Sequence, residues 1–199
     1  MIIIGLCGRS GSGKGTVGRI FVEHSIPVLD TDALYHDMIN DPTSACTKAL
    51  ATAFGAEILD EEGKINRVAL RKVVFLEGNR DILQKLNSIT HAFVLDETNA
   101  WIREKEKLGV KAICLDVPLL FESQMDKLCD LTIAVIASDK NCIARIQKRD
   151  KVDEQTAIQR LGAQLCNEEL IARCSHVIKN DGSHSDLSSQ VIKLLTEIL

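Results

Sequence analysis

Apolar residues along this chain fall into short unbroken runs separated by stretches in which they recur every three or four positions. Buried strands alternating with amphipathic helices leave that pattern. Ile2-Ile3-Ile4-Gly5-Leu6, Pro27-Val28-Leu29-Asp30, Val110 to Asp116, Leu131 to Ile136 and His176-Val177-Ile178 read as strands. The spacing predicts helices from near Lys14 to about His24, from Ala33 to Ile39, from Asp41-Pro42 to about Phe54, and from an Asn66 cap to Glu77-Gly78. Further helices are expected from Asp81 to about Leu108, from Ser138 or Asp139 past Arg149, from an Asp153 cap to about Leu165, and from Ser185 to Leu199. Ile58-Leu59 and Lys64-Ile65 flank the turn Asp60 to Gly63 and suggest a small hairpin or loop. Strands alternating with helices predict an α/β fold around a central, mainly parallel sheet. Residues of about 60–95 hold no core strand and read as a helical insertion beside that sheet.

The 199 residues suffice for one α/β domain with one core. A net charge of −4 with 26% charged residues argues against a nucleic-acid-binding protein. No apolar run reaches the roughly 18 residues of a membrane span, and no basic leader precedes the first strand, so a cytoplasmic protein is expected. Seven cysteines (7, 46, 114, 129, 142, 166 and 174) stand alone, without C-x-x-C spacing and mostly in apolar segments. They read as reduced core thiols, not as a disulfide framework or a zinc site.

Candidate chemistry is densest just after the first strand. Gly8-Arg9-Ser10-Gly11-Ser12-Gly13-Lys14-Gly15-Thr16 joins a strand to a helix, the setting of a phosphate-binding P-loop. Gly8, Gly11 and Gly13 let the backbone turn N–H groups around an anion, Ser10 and Ser12 lie between them, and Lys14 brings a full charge to the β/γ-phosphates. Gly15 stands where a Ser or Thr usually binds Mg²⁺, which leaves Thr16 or a metal-bound water for that task. Asp30 and Asp32 fall at the carboxyl end of a strand, where ligands gather in such sheets. On local grounds Asp32 is equally the N-cap of the following helix. Asp116 ends a central strand and suits Mg²⁺ binding, directly or through water. Pro118, Leu119, Leu120 and Glu122 form an apolar exit from that strand that suits a pocket wall. Arg145 and Arg149 share a helix face and read either as a phosphate-clamping lid or as a solvated basic surface. None of the five histidines has metal-ligand spacing; His91, inside the long helix, is grouped with the acceptor site.

Taken together, the P-loop, Leu29-Asp30-Thr31-Asp32, Pro118-Leu119-Leu120-Phe121-Glu122, Lys148-Arg149-Asp150, Arg160 with Gln164, and Val177 to Gly182 resemble the dephospho-CoA kinase family in order and approximate spacing. The resemblance spans nearly the whole chain. It implies a three-layer P-loop kinase with a helical acceptor-binding insertion at about 60–95 and a lid at about 139–165. It implies ATP and Mg²⁺ as cofactors and phosphoryl transfer to the ribose 3′-hydroxyl of dephospho-CoA, with Asp32 as general base, Lys14 and the loop as phosphate cradle, and Arg145 and Arg149 as lid arginines. Asn180 and Gly182 resemble the turn that meets adenine. Departures stand at Gly15, at His36, at Ala92, and at Cys174-Ser175-His176. A monomer or weak homo-oligomer is expected. A nucleoside monophosphate kinase, favoured by Gly15-Thr16, and a non-catalytic nucleotide switch are the alternatives.

Overall fold

A computed structural model describes residues 1–75 and 80–199. The helix end expected at Glu77-Gly78 lies outside the described residues. In chain order the elements are β1 (Ile2–Cys7), α1 (Lys14–Glu23), β2 (Val28–Asp30), α2 (Thr31–Asn40), α3 (Ala45–Phe54), α4 (Arg67–Phe75), α5 (Arg80–Lys107), β3 (Ala112–Asp116), β4 (Leu131–Ile136), α6 (Asp139–Asp150), α7 (Glu154–Gly162), α8 (Asn167–Arg173), β5 (His176–Lys179) and α9 (His184–Ile198). The chain divides into two compact units, Met1–Asp30 with Glu104–Leu199, and Thr31–Arg103. Where the sequence suggests one core, apolar side chains collect in separate clusters within each unit.

The first unit is built on a five-stranded sheet of order β2-β3-β1-β4-β5 in which every pairing is parallel. After β1 the chain crosses to β2 on one side, and after β3 it crosses to β4 on the other. The crevice where these directions diverge therefore opens between the carboxyl ends of β1 and β3. Register makes the alignment concrete, because Leu6 and Asp30 both pair with Asp116. Val17, Ile20 and Phe21 of α1 and Leu187, Val191, Leu194 and Leu195 of α9 cover Ile4, Leu6, Ile133, Val135 and Ile178 of the sheet. Ser183 starts α9, its hydroxyl accepting from Asp186 N while Asp186 accepts from Ser183 N at 2.8 Å. Such reciprocal capping satisfies two N–H groups that a helix start otherwise leaves bare. A smaller cluster of Ala137, Cys142, Ile146, Ala157 and Leu161 joins α6 to α7.

The second unit packs Ile39, Cys46, Leu50, Phe54, Ile58, Ile65, Leu70 and Val74 together, with Leu86, Ile89 and Phe93 of α5 against them. It includes α2 and α3 as well as the described residues of the 60–95 stretch. The expected hairpin is a single antiparallel bridge between Leu59 and Ile65, closed by Asp60 N donating to Lys64 O at 2.9 Å.

α2 starts at Thr31, two residues before the expected Ala33, and two further helix boundaries differ from the sequence reading. Asp41 spends its carboxylate on Thr43 N and Oγ1, forming a turn, so α3 starts three residues later, where Ser44 Oγ accepts from Thr47 N at 3.0 Å. The helix expected to reach Leu165 ends at Gly162, and a separate α8 follows. At seven residues α8 is too short to show a helical period, and its start is fixed by Glu169 accepting from Cys166 N at 2.8 Å. Among the described residues no helix is long and apolar enough to cross a membrane.

Phe21 is fully buried between α1 and the sheet. Phe21→Ala is expected to cost about 3–5 kcal/mol, because the cavity collapses only in part. Urea denaturation checks this, and a loss under 1 kcal/mol would mean the α1 packing is not as described.

Candidate active site

The loop after β1 turns on two glycines with positive φ, Gly11 at 78° and Gly13 at 98°. A side chain at either position would also collide, at Gly11 with the Cys142 carbonyl and at Gly13 with the Asn180 amide. Around these turns the carbonyls face outward onto donors. Asn180 Nδ2 donates to Ser12 O at 2.7 Å, and Arg145 donates to Gly11 O at 3.2 Å, to Ser12 O at 3.4 Å and to Asn180 O at 2.9 Å. Among the described residues the N–H groups of Gly13, Lys14 and Gly15 have no acceptor. They head α1 at the end of the helix dipole that favours anions. Ser12 Oγ is fully buried and likewise lacks a hydrogen-bond partner.

Lys14 Nζ lies against Asp116 Oδ1 across the crevice between β1 and β3. Asp116 is only 5% exposed, so the lysine supplies the charge a carboxylate at this depth requires. Thr16 follows on α1, its Oγ1 accepting from Arg19 at 3.0 Å. The carboxylate of Asp116 and the hydroxyl of Thr16 are each a hard oxygen donor of the kind Mg²⁺ takes, so their donor chemistry fits that ion. Gly15 has open space where a side chain would project, so the missing hydroxyl is not enforced by crowding.

The two arginines expected to form a lid take different partners. Arg145 is a half-buried strut of the loop, not part of a solvated face. Arg149 is exposed; it donates to Ser10 Oγ at 3.2 Å and pairs with Asp150, which also takes Arg160 at 2.6 Å. Hydrogen bonds from Arg149, together with both guanidinium charges, hold the Asp150 carboxyl below the ordinary carboxylate range. Asp181, beside Asn180, accepts from Ser138 N and Asn141 Nδ2, each at 2.8 Å, and those bonds lower its pKa. Gly182 packs against the Asp186 carboxylate.

Two further loop partners carried no assignment from the sequence. Gln164 Oε1 accepts from Ser10 N at 2.8 Å, and Arg9 bridges Asp139 at 2.5 Å and Leu161 O at 3.2 Å. Gln164 was visible as the partner of Arg160 one helical turn away, whereas Arg9 fills a variable position of the loop and gave no signal. After β3, Pro118, Leu120 and Glu122 line a narrow cleft with Cys7, Gly8 and Gln164. Leu120 is a core side chain at 1% exposure, while Leu119 is exposed.

The second unit carries the remaining candidates. Asp32 is exposed in the first turn of α2, which begins at Thr31 directly after β2, so it sits inside the helix and is not its N-cap. His91 is exposed on α5. A cavity of about 510 Å³ within this unit is lined by Tyr35, Arg67, Val68, Leu70, Arg71, Val74 and Leu86. Burial pushes the Tyr35 hydroxyl pKa up. Arg67 and Arg71, one helical turn apart on α4, were the available sequence signal, masked by the apolar residues around them.

Arg145→Ala removes the donor to Gly11 O and Asn180 O and is expected to cost about 1–3 kcal/mol of stability. It should also lower kcat/KM for ATP by at least about tenfold. Arg149→Ala, at the surface, should change stability by less than about 0.5 kcal/mol while lowering kcat. Thermal unfolding and steady-state kinetics on both variants check the contrast; equal stability losses would contradict the strut.

The family model described as dephospho-CoA kinase matches residues 2–186. A dephospho-CoA kinase of Bacillus cereus is 36% identical over 197 residues, covering 98% of this chain and 96% of that protein. One of Fusobacterium nucleatum is 39% identical over 191 residues, covering 96% and 95%. Among solved structures, a Thermus thermophilus protein superposes with a TM-score of 0.82 at 29% identity, covering 100% of this chain and 98% of its own. A shikimate kinase from Acinetobacter baumannii, at 19% identity, a TM-score of 0.54 and coverage of 99% and 94%, shares the fold alone. A braced P-loop at the crevice of a parallel sheet and full-length likeness to these relatives agree: the chain belongs to the dephospho-CoA kinase family.

Proposed function

We propose that this protein transfers the γ-phosphoryl group of ATP to the ribose 3′-hydroxyl of dephospho-CoA, giving CoA. The observation that carries the reading is the braced loop with Lys14 and Asp116 at the crevice, in a chain of this family. Loop N–H groups and Lys14 hold the β/γ-phosphates, and Arg149 adds charge to the transferring group. Thr16 and Asp116 would hold Mg²⁺, which when bound neutralises phosphate charge. Asp32 accepts the proton of the acceptor hydroxyl; its place directly after β2 supports this, as does its match to the family's base. Arg67 and Arg71 suit the diphosphate of dephospho-CoA, since guanidinium forks pair with phosphate oxygens, and the apolar wall of the same cavity suits the pantetheine arm.

The deciding experiment measures ATP consumption with dephospho-CoA, AMP, CMP or water as acceptor. Transfer to dephospho-CoA alone supports the proposal; transfer to AMP or CMP favours a nucleoside monophosphate kinase, and none at all favours a nucleotide switch. Asp32→Asn keeps the side-chain shape but loses the proton acceptor, so kcat should fall by about 10²–10⁴-fold with ATP affinity preserved. Unchanged turnover would eliminate Asp32 as the base. Arg71→Ala should raise KM for dephospho-CoA by about tenfold or more and leave KM for ATP unchanged, as steady-state kinetics would show.

A further inference from the structure

Cys7 and Cys174 are 167 positions apart in sequence, yet their sulfurs lie 3.5 Å apart, within hydrogen-bonding distance. Both are free thiols. Cys7 is buried at the end of β1 and directly precedes Gly8, the first residue of the P-loop. Cys174 is half-buried in the connection from α8 to β5. Neighbouring backbone fixes that connection, because Ser175 N donates to Thr132 Oγ1 at 3.1 Å and Thr132 N donates to Ser175 Oγ at 3.2 Å. Two thiols held this close on different elements need an approach of only about 1.5 Å to reach the S–S bond length.

We propose that Cys7 and Cys174 form a dithiol modification site that small-molecule disulfides oxidise to an intramolecular disulfide, and that this cross-link weakens ATP binding. The hydrogen bond between the sulfurs favours thiolate at Cys174 and, together with burial, keeps Cys7 protonated. The more exposed sulfur is thus also the better nucleophile. Its thiolate attacks one sulfur of the reagent RSSR, the reagent's S–S bond breaks, and RS⁻ leaves. Cys7 then attacks the Cys174 sulfur, expelling the second RS⁻. The protons of the two protein thiols end on the two leaving thiolates, so two cysteines are oxidised as one RSSR is reduced to two RSH. The consequence for ATP follows from position. A Cβ on Gly8 would stand 2.5 Å from Val135 O, so the start of the loop is wedged against β4 and cannot absorb a shift of Cys7 without changing its own path.

Other thiols are poorer targets. Cys129 and Cys166 are half-buried, and the pKa of each is pushed up, that of Cys129 to about 12 by burial. Among the described residues no other two sulfurs are joined by a hydrogen bond.

The test treats the full chain with oxidised glutathione, alkylates the remaining thiols, and maps the peptides by mass spectrometry. The expected product joins the Cys7 and Cys174 peptides, is two hydrogens lighter than the reduced pair, and retains no glutathione. Isothermal titration should show ATP affinity falling by at least about tenfold on oxidation and returning with dithiothreitol. Cys174→Ser should bind ATP equally before and after treatment. Glutathione retained on Cys174, oxidation only at other cysteines, unreacted thiols, or a cross-linked protein with unchanged ATP affinity would each overturn the proposal. These readouts require no acceptor, so they stand or fall independently of the acceptor assignment.

Discussion

A phosphate-binding loop works only if its N–H groups turn inward, which forces its carbonyls outward into protein that must receive them. Here Asn180 and Arg145 receive them, tying Gly11 O and Ser12 O to the end of β5 and to α6. The constraint extends into the sheet. Asn180 N donates to Ile136 O at 2.8 Å, so the group that fixes the loop is itself fixed by the strand beside it. Most of the first unit serves this arrangement: α9 and α1 press on the sheet that carries β5, and the α6–α7 cluster sets the height of Arg145.

Charge follows the same geometry. The parallel pairing of β1 with β3 places Lys14 and Asp116 at one crevice although about a hundred residues separate them in sequence. A lysine and a nearly buried carboxylate each have a partner before nucleotide arrives, so neither is left as an uncompensated ion.

Much of this was legible in the sequence because its signals are local. Glycine spacing, the lysine and the flanking apolar run identify the loop, and five apolar segments match the five strands. Other features depend on groups that meet only after folding. Arg145 and Arg149 look equivalent along a helix, but one points to loop carbonyls and the other to Ser10 and Asp150. The resemblance gives Asn180 to adenine, and only the fold shows that its amide also donates to Ser12 O. Asp41 and Ser44 are both plausible caps, and Thr43 decides between them by occupying Asp41. Cys7 and Cys174 read as isolated thiols because no sequence spacing reports a 3.5 Å approach across the sheet.

The outward brace separates two roles for Asn180 that one measurement can distinguish. Binding of ATP and of adenosine to wild type and to a folded Asn180→Ala variant would be compared by isothermal titration. If Asn180 acts through the Ser12 carbonyl, ATP affinity falls by at least about tenfold, roughly 1.4 kcal/mol, while adenosine affinity stays the same. Equal losses for both ligands, or none for ATP, would contradict a loop whose phosphate site depends on that brace.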